Sequence, residues 1–421
     1  FAVEGGEKYL TFGIDRGGWN NVRMSMEIIF IIALVSGRTL VLPPEIKLYL
    51  LHHDEGKKTR GFADFFPLRT PEFAKRLKII TMSDFIEKEG GPNGRVPLPE
   101  GANKTVILNA ANHCDNRAKS DRSCMTINGF LKSVGSNPGF RAIDGCVVFD
   151  ATVYDGKRTD EEAAKSARHF CGERSVTYWT KEMNTPDVLH FEGDNKYYRL
   201  LTHFYSMLHF TDPAIDNYVK RFVRDFLHYN DAIYCAAGKI VKSLQLEAKQ
   251  RGQETDAEGG GGYSVMHIRR GDLQYKKVKL PAKTWWNNTK ELWKENEIIY
   301  IATDERNLTW FNPIARKRTV RFLDDYYNVA DLGSVDPNYM GMIDTIVASR
   351  ARVFAGTWFS TFSGYINRMR GYHGLSMHDS WYSFLPRKDA LHNWTHVDHY
   401  AYAYEWPTGW VGIDADVVPS K

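Results

Sequence analysis

The sequence predicts an α/β protein built on parallel sheets, and three observations support this prediction. An apolar run, Tyr263 to Ile268, has the length of a buried strand and is followed at once by the polar run Arg269 to Asp272. At the start of the chain, a strand-like segment, a glycine turn and a long apolar segment follow one another, as in a strand–helix–strand unit. The chain has 421 residues, too many for one ordinary core, so we expect two domains.

Composition and charge indicate a soluble globular protein. With 43% hydrophobic and 25% charged residues, the chain is neither a disordered segment nor a coiled coil. Its net charge of +4 is small for its length and does not by itself indicate a nucleic-acid partner; a basic cleft for an anionic small molecule fits equally well. The longest apolar run, Ile28 to Val35, is far shorter than the ~20 residues that cross a bilayer. Since the sequence begins at Phe1 and not at Met, it is compatible with a removed signal peptide or N-terminal membrane anchor.

The first elements form a strand–helix–strand unit with a glycine-bearing turn. We predict a strand over Tyr9–Ile14, a turn over 15–21, a helix over Val22–Ser36 and a strand over Thr39–Leu42. Gly17 and Gly18 let backbone N–H groups approach a ligand, and the helix start adds a partial positive charge. The run GGWNN is not the GxGxxG of dinucleotide sites, so we predict no NAD. Such a turn is also common without a ligand, and these residues leave both interpretations open.

The middle of the chain, from 45 to 235, carries weaker patterns. Strands are indicated at Val106–Asn109 and Val147–Phe149, and helices at Asp160–Cys171 and Asp216–Leu227. The segment Gln245–Gly262 ends in EGGGG and is typical of a linker or a surface loop. We therefore expect an N-terminal domain over 1–245, a C-terminal domain over 263–370, and a tail over 371–421 that packs back on the N-terminal domain.

Beyond the glycines, strands and helices alternate again. After Tyr263–Ile268 we predict a helix over Thr284–Glu295, strands over Glu297–Ala302 and Arg321–Leu323, a helix over Tyr339–Ser349, a strand over Arg352–Ala355, and a polar turn over Gly356–Gly364 that leads into a helix ending at Met369. Polar clusters follow three of these strands, with the sequences HIRRGD, ATDE and AGTWFSTFSG. Strand-end loops of this kind converge to form nucleotide sites in doubly wound domains.

Each polar cluster also has a purely structural interpretation. Arg269 is placed to hold an anionic ligand, but it could instead form surface ion pairs with Asp272 and nearby carboxylates. The hydroxyls and N–H groups of Ser360 and Thr361 at a helix start suit a phosphate, but ordinary N-capping is the alternative.

Cysteines and glycosylation sequons favour a secretory compartment. Cys114 and Cys124 enclose a short polar loop, and Cys146 and Cys171 lie in the same half, while Cys235 is the fifth cysteine. One or two disulfides are compatible with this spacing, and the pairing stays open. Sequons stand at Asn103, Asn287, Asn307 and Asn393.

Four motifs, taken in order, resemble the protein O-fucosyltransferase-like superfamily of glycosyltransferases. They are GGWNNVRMSMEIIFIIALVSGRTLVLP, HIRRGD, YIATDE and MIDTIVASRARVFAGTWFSTFSGYINRMRG. The resemblance implies a GT-B fold, in which two Rossmann-like doubly wound domains face each other across a cleft. It makes 1–245 the acceptor-side domain and 263–370 the nucleotide-sugar-binding domain. It also implies GDP-fucose as donor substrate, inverting transfer to a protein or glycan hydroxyl, no required metal or other cofactor, and residence in the endoplasmic reticulum or Golgi lumen.

The resemblance assigns roles to individual residues. His267 and Asp344 would contact the guanosine end, Arg269 would hold the diphosphate, and Ser360, Thr361 and Phe362 would bind the β-phosphate and its surroundings, with Asp304 also on the donor side. Gly17, Gly18 and Asn20 match the loop that closes over donor and acceptor.

The catalytic base is where the sequence departs from the family. Some relatives carry a glutamate in the glycine loop, and the corresponding residue here is Gly17. Asp15, just before the loop, is a candidate base, and a more dissociative mechanism without a strong base is the alternative. Arg269 cannot act as a base at neutral pH but can stabilise the departing diphosphate.

Metal-ligand patterns in the C-terminal region have structural interpretations. The DxD run Asp414–Asp416 resembles the metal motif of other glycosyltransferases, but it follows no strand-end cluster and we interpret it as surface. His396, Asp398 and His399 have metal-compatible spacing, yet the aromatic tail around them favours packing.

Three other functions compete with GDP-fucose transfer. Plant relatives in the same superfamily use UDP-rhamnose. The absent loop glutamate is compatible with a non-catalytic nucleotide-sugar or glycan-binding protein. A sulfotransferase would bind adenosine bisphosphate, which a ligand screen would reveal.

Overall fold

Parallel β-sheets form the centre of both units of the chain. The computed structural model describes residues 1–2, 5–48, 51, 59–91, 93–98, 100–112, 114, 123–140, 145–193, 199–255, 261–392, 402–410 and 413. It divides into unit 1, Phe1–His228, and unit 2, Tyr229–Lys421. All strand pairs in the three sheets are parallel, so the predicted α/β class with two doubly wound units is confirmed.

Unit 1 contains a four-stranded and a three-stranded sheet. Its strands are β1 Tyr9–Phe12, β2 Thr39–Leu42, β3 Ile79–Thr81, β4 Gly145–Phe149, β5 Ser175–Tyr178, β6 Val188–Phe191 and β7 Leu208–Phe210, in the orders β3-β2-β1-β6 and β5-β4-β7. Its helices are α1 Trp19–Ser36, α2 Pro71–Ala74, α3 Met82–Glu89, α4 Lys104–Asn112, α5 Ser123–Val134, α6 Ala151–Tyr154, α7 Glu161–Cys171, α8 Phe204–Met207 and α9 Pro213–Phe226. Because β1 pairs with β2 on one side and β6 on the other, the loop after β1 leaves the sheet where the strand order reverses.

Helix α1 is buried over most of its surface, which agrees with its continuous apolar sequence. The run Ile28–Ala33 has no exposed area, and the helix ends at Gly37, whose φ of 67° is the left-handed conformation that favours glycine at a C-terminus. The helix therefore supports the glycine loop on a rigid, buried element. Among the described residues, no helix combines the length and apolar character needed to cross a membrane.

One predicted strand of unit 1 is wrong. Val106–Asn109 lies inside helix α4, because the Asn103 side chain caps the helix and Ile107, Ala110 and Ala111 form one buried face at helical spacing. Four of the five cysteines form two disulfides in this unit, Cys114–Cys124 and Cys146–Cys171, and Cys235 is free and exposed.

Unit 2 contains one five-stranded sheet in the order β10-β9-β8-β11-β12. Its strands are β8 Tyr263–Ile268, β9 Ile298–Thr303, β10 Thr319–Arg321, β11 Phe354–Gly356 and β12 Ser380–Tyr382, and its helices are α10 Asp231–Gln250, α11 Ala282–Thr289, α12 Asn312–Ala315, α13 Met340–Ser349 and α14 Thr361–Tyr372. Strand β8 is central, so its carboxyl end again marks a reversal of strand order and a place for a ligand.

The division between the units lies earlier than the predicted boundary at 245. That position falls within α10, which belongs to unit 2, packs on α13, and buries the side chains of Ile233, Ala237 and Ile240. The glycine-rich stretch thus follows a helix of unit 2 and leads into β8. Residues 256–260 of it lie outside the described residues.

The described residues near the C-terminus pack within unit 2. Residues 402–410 belong to the core of unit 2, where Glu405 forms a fully buried ion pair with Arg368 and Trp406 is buried with Trp358. A Cβ at Gly371 would lie 2.2 Å from the Pro407 carbonyl oxygen, so the tail contacts the backbone of α14 directly. These described residues of the tail therefore belong to unit 2, and the packing of the tail on the N-terminal domain stays a prediction.

Candidate active site

The turn after β8 is tied to the end of β11 through one buried threonine. The Thr357 hydroxyl oxygen accepts a hydrogen bond from the Arg269 backbone N–H at 3.0 Å and donates one to the His267 carbonyl oxygen at 3.0 Å. Because Thr357 has no exposed area, water cannot easily replace its hydroxyl as the hydrogen-bond partner of these two backbone groups. Sequence reasoning missed this residue, although it lies within the AGTWFSTFSG motif.

Asp304, at the end of β9, organises the same turn. Its carboxylate accepts hydrogen bonds from the backbone N–H groups of Arg270 at 2.7 Å and Gly271 at 2.9 Å. It also forms an ion pair with Arg269 Nη1 at 2.9 Å. A Cβ at Gly271 would lie 2.6 Å from Asp304 Oδ2, so this approach requires glycine.

Two carboxylates hold the Arg269 guanidinium at the sheet edge. Besides Asp304, Asp272 forms an ion pair with Arg269 Nη2, so the ion-paired interpretation of Arg269 is observed. The side chain nevertheless stays 24% exposed and so remains accessible to an anionic ligand. Arg270 points away from this site, pairing with Glu305 at 2.8 Å and lying over the Trp310 ring. Successive side chains of an extended backbone point to opposite sides, and Arg269 and Arg270 accordingly have different partners.

His267 is a buried, neutral packing group. Its Nδ1 lies 2.7 Å from the Ser363 hydroxyl oxygen, and its ring stacks on Phe362 with the centroids 4.4 Å apart. Burial lowers the pKa of His267 to about 3, with the nearby Arg269 charge acting in the same direction and Asp304 opposing it. The imidazole is uncharged at neutral pH, so its ring offers a hydrogen-bonding, aromatic surface.

The start of α14 has an unusual loop geometry. Ser360 is the N-cap residue, yet its side chain makes no capping hydrogen bond, so the ordinary N-capping interpretation does not hold for it. Phe359, just before it, has a φ of 65°, a left-handed conformation that is strained for a bulky residue. Thr361 and Phe362 form the first turn of the helix. Such strain before a helix N-terminus is typical of loops shaped for a ligand.

Asp344 is a buried carboxyl behind this loop. On helix α13, its Oδ1 accepts a 2.5 Å hydrogen bond from the Tyr300 hydroxyl of β9. Burial raises the pKa of Asp344 to about 7, and the hydrogen bond from Tyr300 partly opposes that effect. A Cβ at Gly341, one turn earlier, would lie 3.6 Å from the Phe362 ring, so this face of α13 adjoins the ring that stacks on His267.

In unit 1, an arginine from a distant loop anchors the glycine loop. Asp15 is buried, and its carboxylate accepts from Arg199 Nε at 2.7 Å, Arg199 Nη2 at 2.8 Å and the Gly17 N–H at 2.7 Å. This pairing raises the pKa of Arg199 above its ordinary value. A Cβ at Gly17 would lie 2.4 Å from Asn21 Nδ2, so glycine is required there. Gly18 follows as the N-cap residue of α1.

Asn20 is oriented by a chain of buried polar groups on α1. Its Oδ1 accepts a hydrogen bond from Arg23 Nε at 3.2 Å, and Arg23 Nη1 forms an ion pair with Glu27 at 2.6 Å. All three side chains are buried. Because this bond fixes the orientation of the amide, the Nδ2 group of Asn20 points away from Arg23 and can donate hydrogen bonds. Glu27 is committed to this pair and is a poor candidate for a base.

The structure brings the predicted residues together in two sets. His267, Arg269, Asp304, Asp344, Ser360, Thr361 and Phe362 lie at or behind the carboxyl edge of the unit 2 sheet, and Asp15, Gly17, Gly18 and Asn20 lie after β1 in unit 1. Thr357, Ser363, Tyr300 and Arg199 complete these sets and were not predicted. The metal-like runs at 396–399 and 414–416 lie outside the described residues, and the described part contains no group of three or more His, Cys, Asp or Glu placed to hold a metal.

Comparison with known proteins identifies a family. The sequence matches the family described as GDP-fucose protein O-fucosyltransferase over residues 9–373. No curated protein sequence matches the chain. Similar solved structures include POFUT1 in complex with GDP-fucose, at 14% identity over 89% of this chain and 97% of that chain with a TM-score of 0.39. Fucosyltransferase NodZ from Bradyrhizobium is similar at 12% identity over 87% of this chain and 94% of that chain, with a TM-score of 0.37. The family assignment therefore depends on the sequence match over 9–373.

Proposed function

Because the chain belongs to the GDP-fucose protein O-fucosyltransferase family, we propose that it is an inverting, metal-independent fucosyltransferase that acts on a hydroxyl of a protein or glycan acceptor. Membership confirms the fucosyltransferase class and the GDP-fucose donor predicted from the motifs. The observation that supports the catalytic assignment is the position of Arg269, held by two carboxylates at the carboxyl end of the central strand.

The donor binds along the edge of the unit 2 sheet. The guanosine end lies against the neutral His267 and the Phe362 ring, where an ionised Asp344 can accept hydrogen bonds from guanine N–H groups. The diphosphate lies between the Arg269 guanidinium and the N-terminus of α14, at Ser360 and Thr361. Both features supply positive charge to the part of the donor that carries negative charge.

Transfer is a single displacement with inversion. The acceptor hydroxyl oxygen forms a bond to the anomeric carbon of fucose while the bond from that carbon to the β-phosphate oxygen breaks, and the electron pair leaves with GDP. Negative charge on the diphosphate grows in the transition state, where Arg269 stabilises it more strongly than in the ground state. The α14 N-terminus assists in the same way, so charge stabilisation does not require a cation beyond the protein's own groups.

The acceptor proton has no dedicated strong base in this proposal. Both oxygens of Asp15 already accept hydrogen bonds from Arg199, and one of them also accepts from the Gly17 N–H. Because these hydrogen bonds already engage both carboxylate oxygens, Asp15 is poorly placed to take the acceptor proton, which favours the more dissociative of the two mechanisms considered. The proton then passes to water or the departing phosphate late in the reaction, while the Asn20 amide donates to the donor or the acceptor.

We place the enzyme in the secretory pathway. Two disulfides in unit 1 support this placement, because disulfides persist mainly in oxidising compartments. Fucosylation of a protein or glycan acceptor in the endoplasmic reticulum or Golgi lumen fits the same environment.

A ligand panel followed by turnover tests the proposal. Thermal unfolding is measured without metal and with chelator, in the presence of GDP, UDP, ADP or adenosine bisphosphate. A ligand at ~100 times its Kd stabilises by ~2.7 kcal/mol, so selective stabilisation by GDP is expected. Selective stabilisation by UDP would instead indicate UDP-rhamnose as the donor, and selective stabilisation by adenosine bisphosphate would indicate a sulfotransferase.

Turnover and stereochemistry distinguish an enzyme from a binding protein. GDP release from GDP-fucose is followed with chelator present, first with water and then with candidate acceptors, and the anomeric configuration of the fucoside is read by NMR. Inverted product formed without metal is the expected result. Retained configuration, or strict dependence on added metal, would contradict the mechanism, and tight GDP binding with no turnover for any acceptor would favour the binding protein.

A further inference from the structure

A surface groove of about 420 Å³ lies between helices α4 and α5 of unit 1. Ile107 and Phe130 also line the groove, and both belong to the buried core of unit 1. Two apolar side chains that line the groove are exposed, Val106 at 53% and Met125 at 72%. Apolar side chains on both sides of a groove favour an occupant with an apolar face.

One glycine of helix α5 keeps the groove open. A Cβ at Gly129 would meet no atom within 4 Å among the described residues, so no described neighbour requires its small size, whereas Gly101 has a φ of 75° that favours glycine in any case. Gly129 lies in the interior of α5, where glycine costs about 1 kcal/mol relative to alanine. Gly129 therefore leaves space that an attached group can fill.

Asn103 stands on the rim of this groove and heads the sequon Asn103-Lys104-Thr105. Its Oδ1 caps helix α4 by accepting from the N–H groups of Thr105 at 2.9 Å and Val106 at 3.3 Å. Glycan attachment uses Nδ2, so the cap and the modification are compatible. Lys104 is drawn toward α3, since its Nζ donates to the carbonyl oxygens of Glu87 and Gly90.

We propose that Asn103 carries an N-linked glycan whose first N-acetylglucosamine lies in this groove. Attachment forms a bond between Asn103 Nδ2 and C1 of the sugar, breaks the bond from C1 to a lipid-linked diphosphate donor, and releases one amide proton and the lipid diphosphate. The apolar C–H faces of the sugar and its N-acetyl methyl group pack on Val106 and Met125, with space above Gly129. The inference rests on the secretory placement under the proposed function.

Glycopeptide mass spectrometry of the full chain secreted from a eukaryotic host tests attachment. The peptide with Asn103 is expected to carry a glycan in the wild type and in T105S, which keeps the sequon, and to lose it in T105A, which keeps the asparagine cap. An unmodified Asn103 in the secreted wild type would overturn the proposal.

Oxidative footprinting of Met125 tests the position of the sugar. We expect Met125 to oxidise several-fold faster in T105A, and after enzymatic deglycosylation, than in wild type and T105S. N307Q removes a different exposed sequon and is expected to leave Met125 oxidation unchanged. Equal oxidation with and without the Asn103 glycan would overturn the seating in the groove.

GDP release from GDP-fucose is measured on the same samples. An unmodified Asn103 with intact turnover would contradict the glycan alone, whereas a glycosylated Asn103 without turnover would contradict the proposed catalysis alone.

Discussion

Arg199 holds Asp15 in a two-pronged ion pair, with Nε 2.7 Å from Oδ2 and Nη2 2.8 Å from Oδ1. The same carboxylate accepts the Gly17 N–H at 2.7 Å, so the loop after β1 is fastened to a segment that lies far away in the sequence. A planar guanidinium opposite a buried carboxylate gives both strength and a defined geometry. We therefore regard Asp15 as an anchor of the glycine loop.

A double-mutant cycle on Asp15 and Arg199 separates an anchor from a base. Replacing Arg199 by Met leaves a buried carboxylate short of its partner, and we expect the free energy of unfolding to fall by about 2–4 kcal/mol. We expect D15N to lower the free energy of unfolding and kcat about as much as R199M does. The double variant is expected to be no less stable or active than either single variant, which corresponds to a coupling energy of about 1–3 kcal/mol. A much larger loss of kcat in D15N than in R199M, with R199K near wild type, would instead identify Asp15 as the base.

Replacing Arg269 by Ala is expected to lower kcat by about 10²-fold or more while the fold is retained, because charge on the departing diphosphate loses its stabilising guanidinium. R270A is the matched control: Arg270 pairs with Glu305 and stacks on Trp310, so its loss should affect stability more than turnover. Steady-state kinetics with GDP-fucose and circular dichroism measure the two effects. Unchanged kcat in R269A, or an equal loss in R270A, would contradict the role of Arg269.

Replacing Thr357 by Val removes the link between β8 and β11 without changing volume much. The Arg269 N–H and the His267 carbonyl would both lose their partner, and we expect the free energy of unfolding to fall by about 1–3 kcal/mol. T357S keeps the hydroxyl and should remain near wild type. Chemical denaturation measures all three proteins, and equal stability of T357V and T357S would show that the hydroxyl is not needed.

Asp344 is expected to make stability depend on pH. Its folded-state pKa of about 7 lies above its ordinary value of 3.8, so the folded protein binds a proton that the unfolded chain releases. The free energy of unfolding contributed by this group is therefore greatest below about pH 4 and falls as the pH rises to about 7, by a few kcal/mol in total. The difference between wild type and D344N in denaturation at several pH values isolates this effect from other titrating groups. Parallel pH profiles for the two proteins would contradict it.

Local patterns predicted the elements at the site well. Strand β8 was predicted with its observed bounds, because an apolar run that ends in charged residues is readable without knowing its neighbours. Val106–Asn109 was misread as a strand because a short apolar run does not distinguish a strand from a buried helix face; the cap at Asn103 decides for the helix. The aromatic residues of the tail indicate burial but not the surface on which they are buried, and the structure shows that Tyr404 and Trp406 are buried in the core of unit 2.

The sequence by itself determined the α/β class, the positions of the polar strand ends and the family, since each depends on the order of residues along the chain. Only the tertiary structure decided which groups meet: Arg199 with Asp15, Thr357 with both His267 and Arg269, and Tyr300 with Asp344. These partners are separated by tens of residues or more, and no local periodicity links them. The pKa values of His267 and Asp344 likewise follow from burial, which exists only once the sheet and its helices have packed.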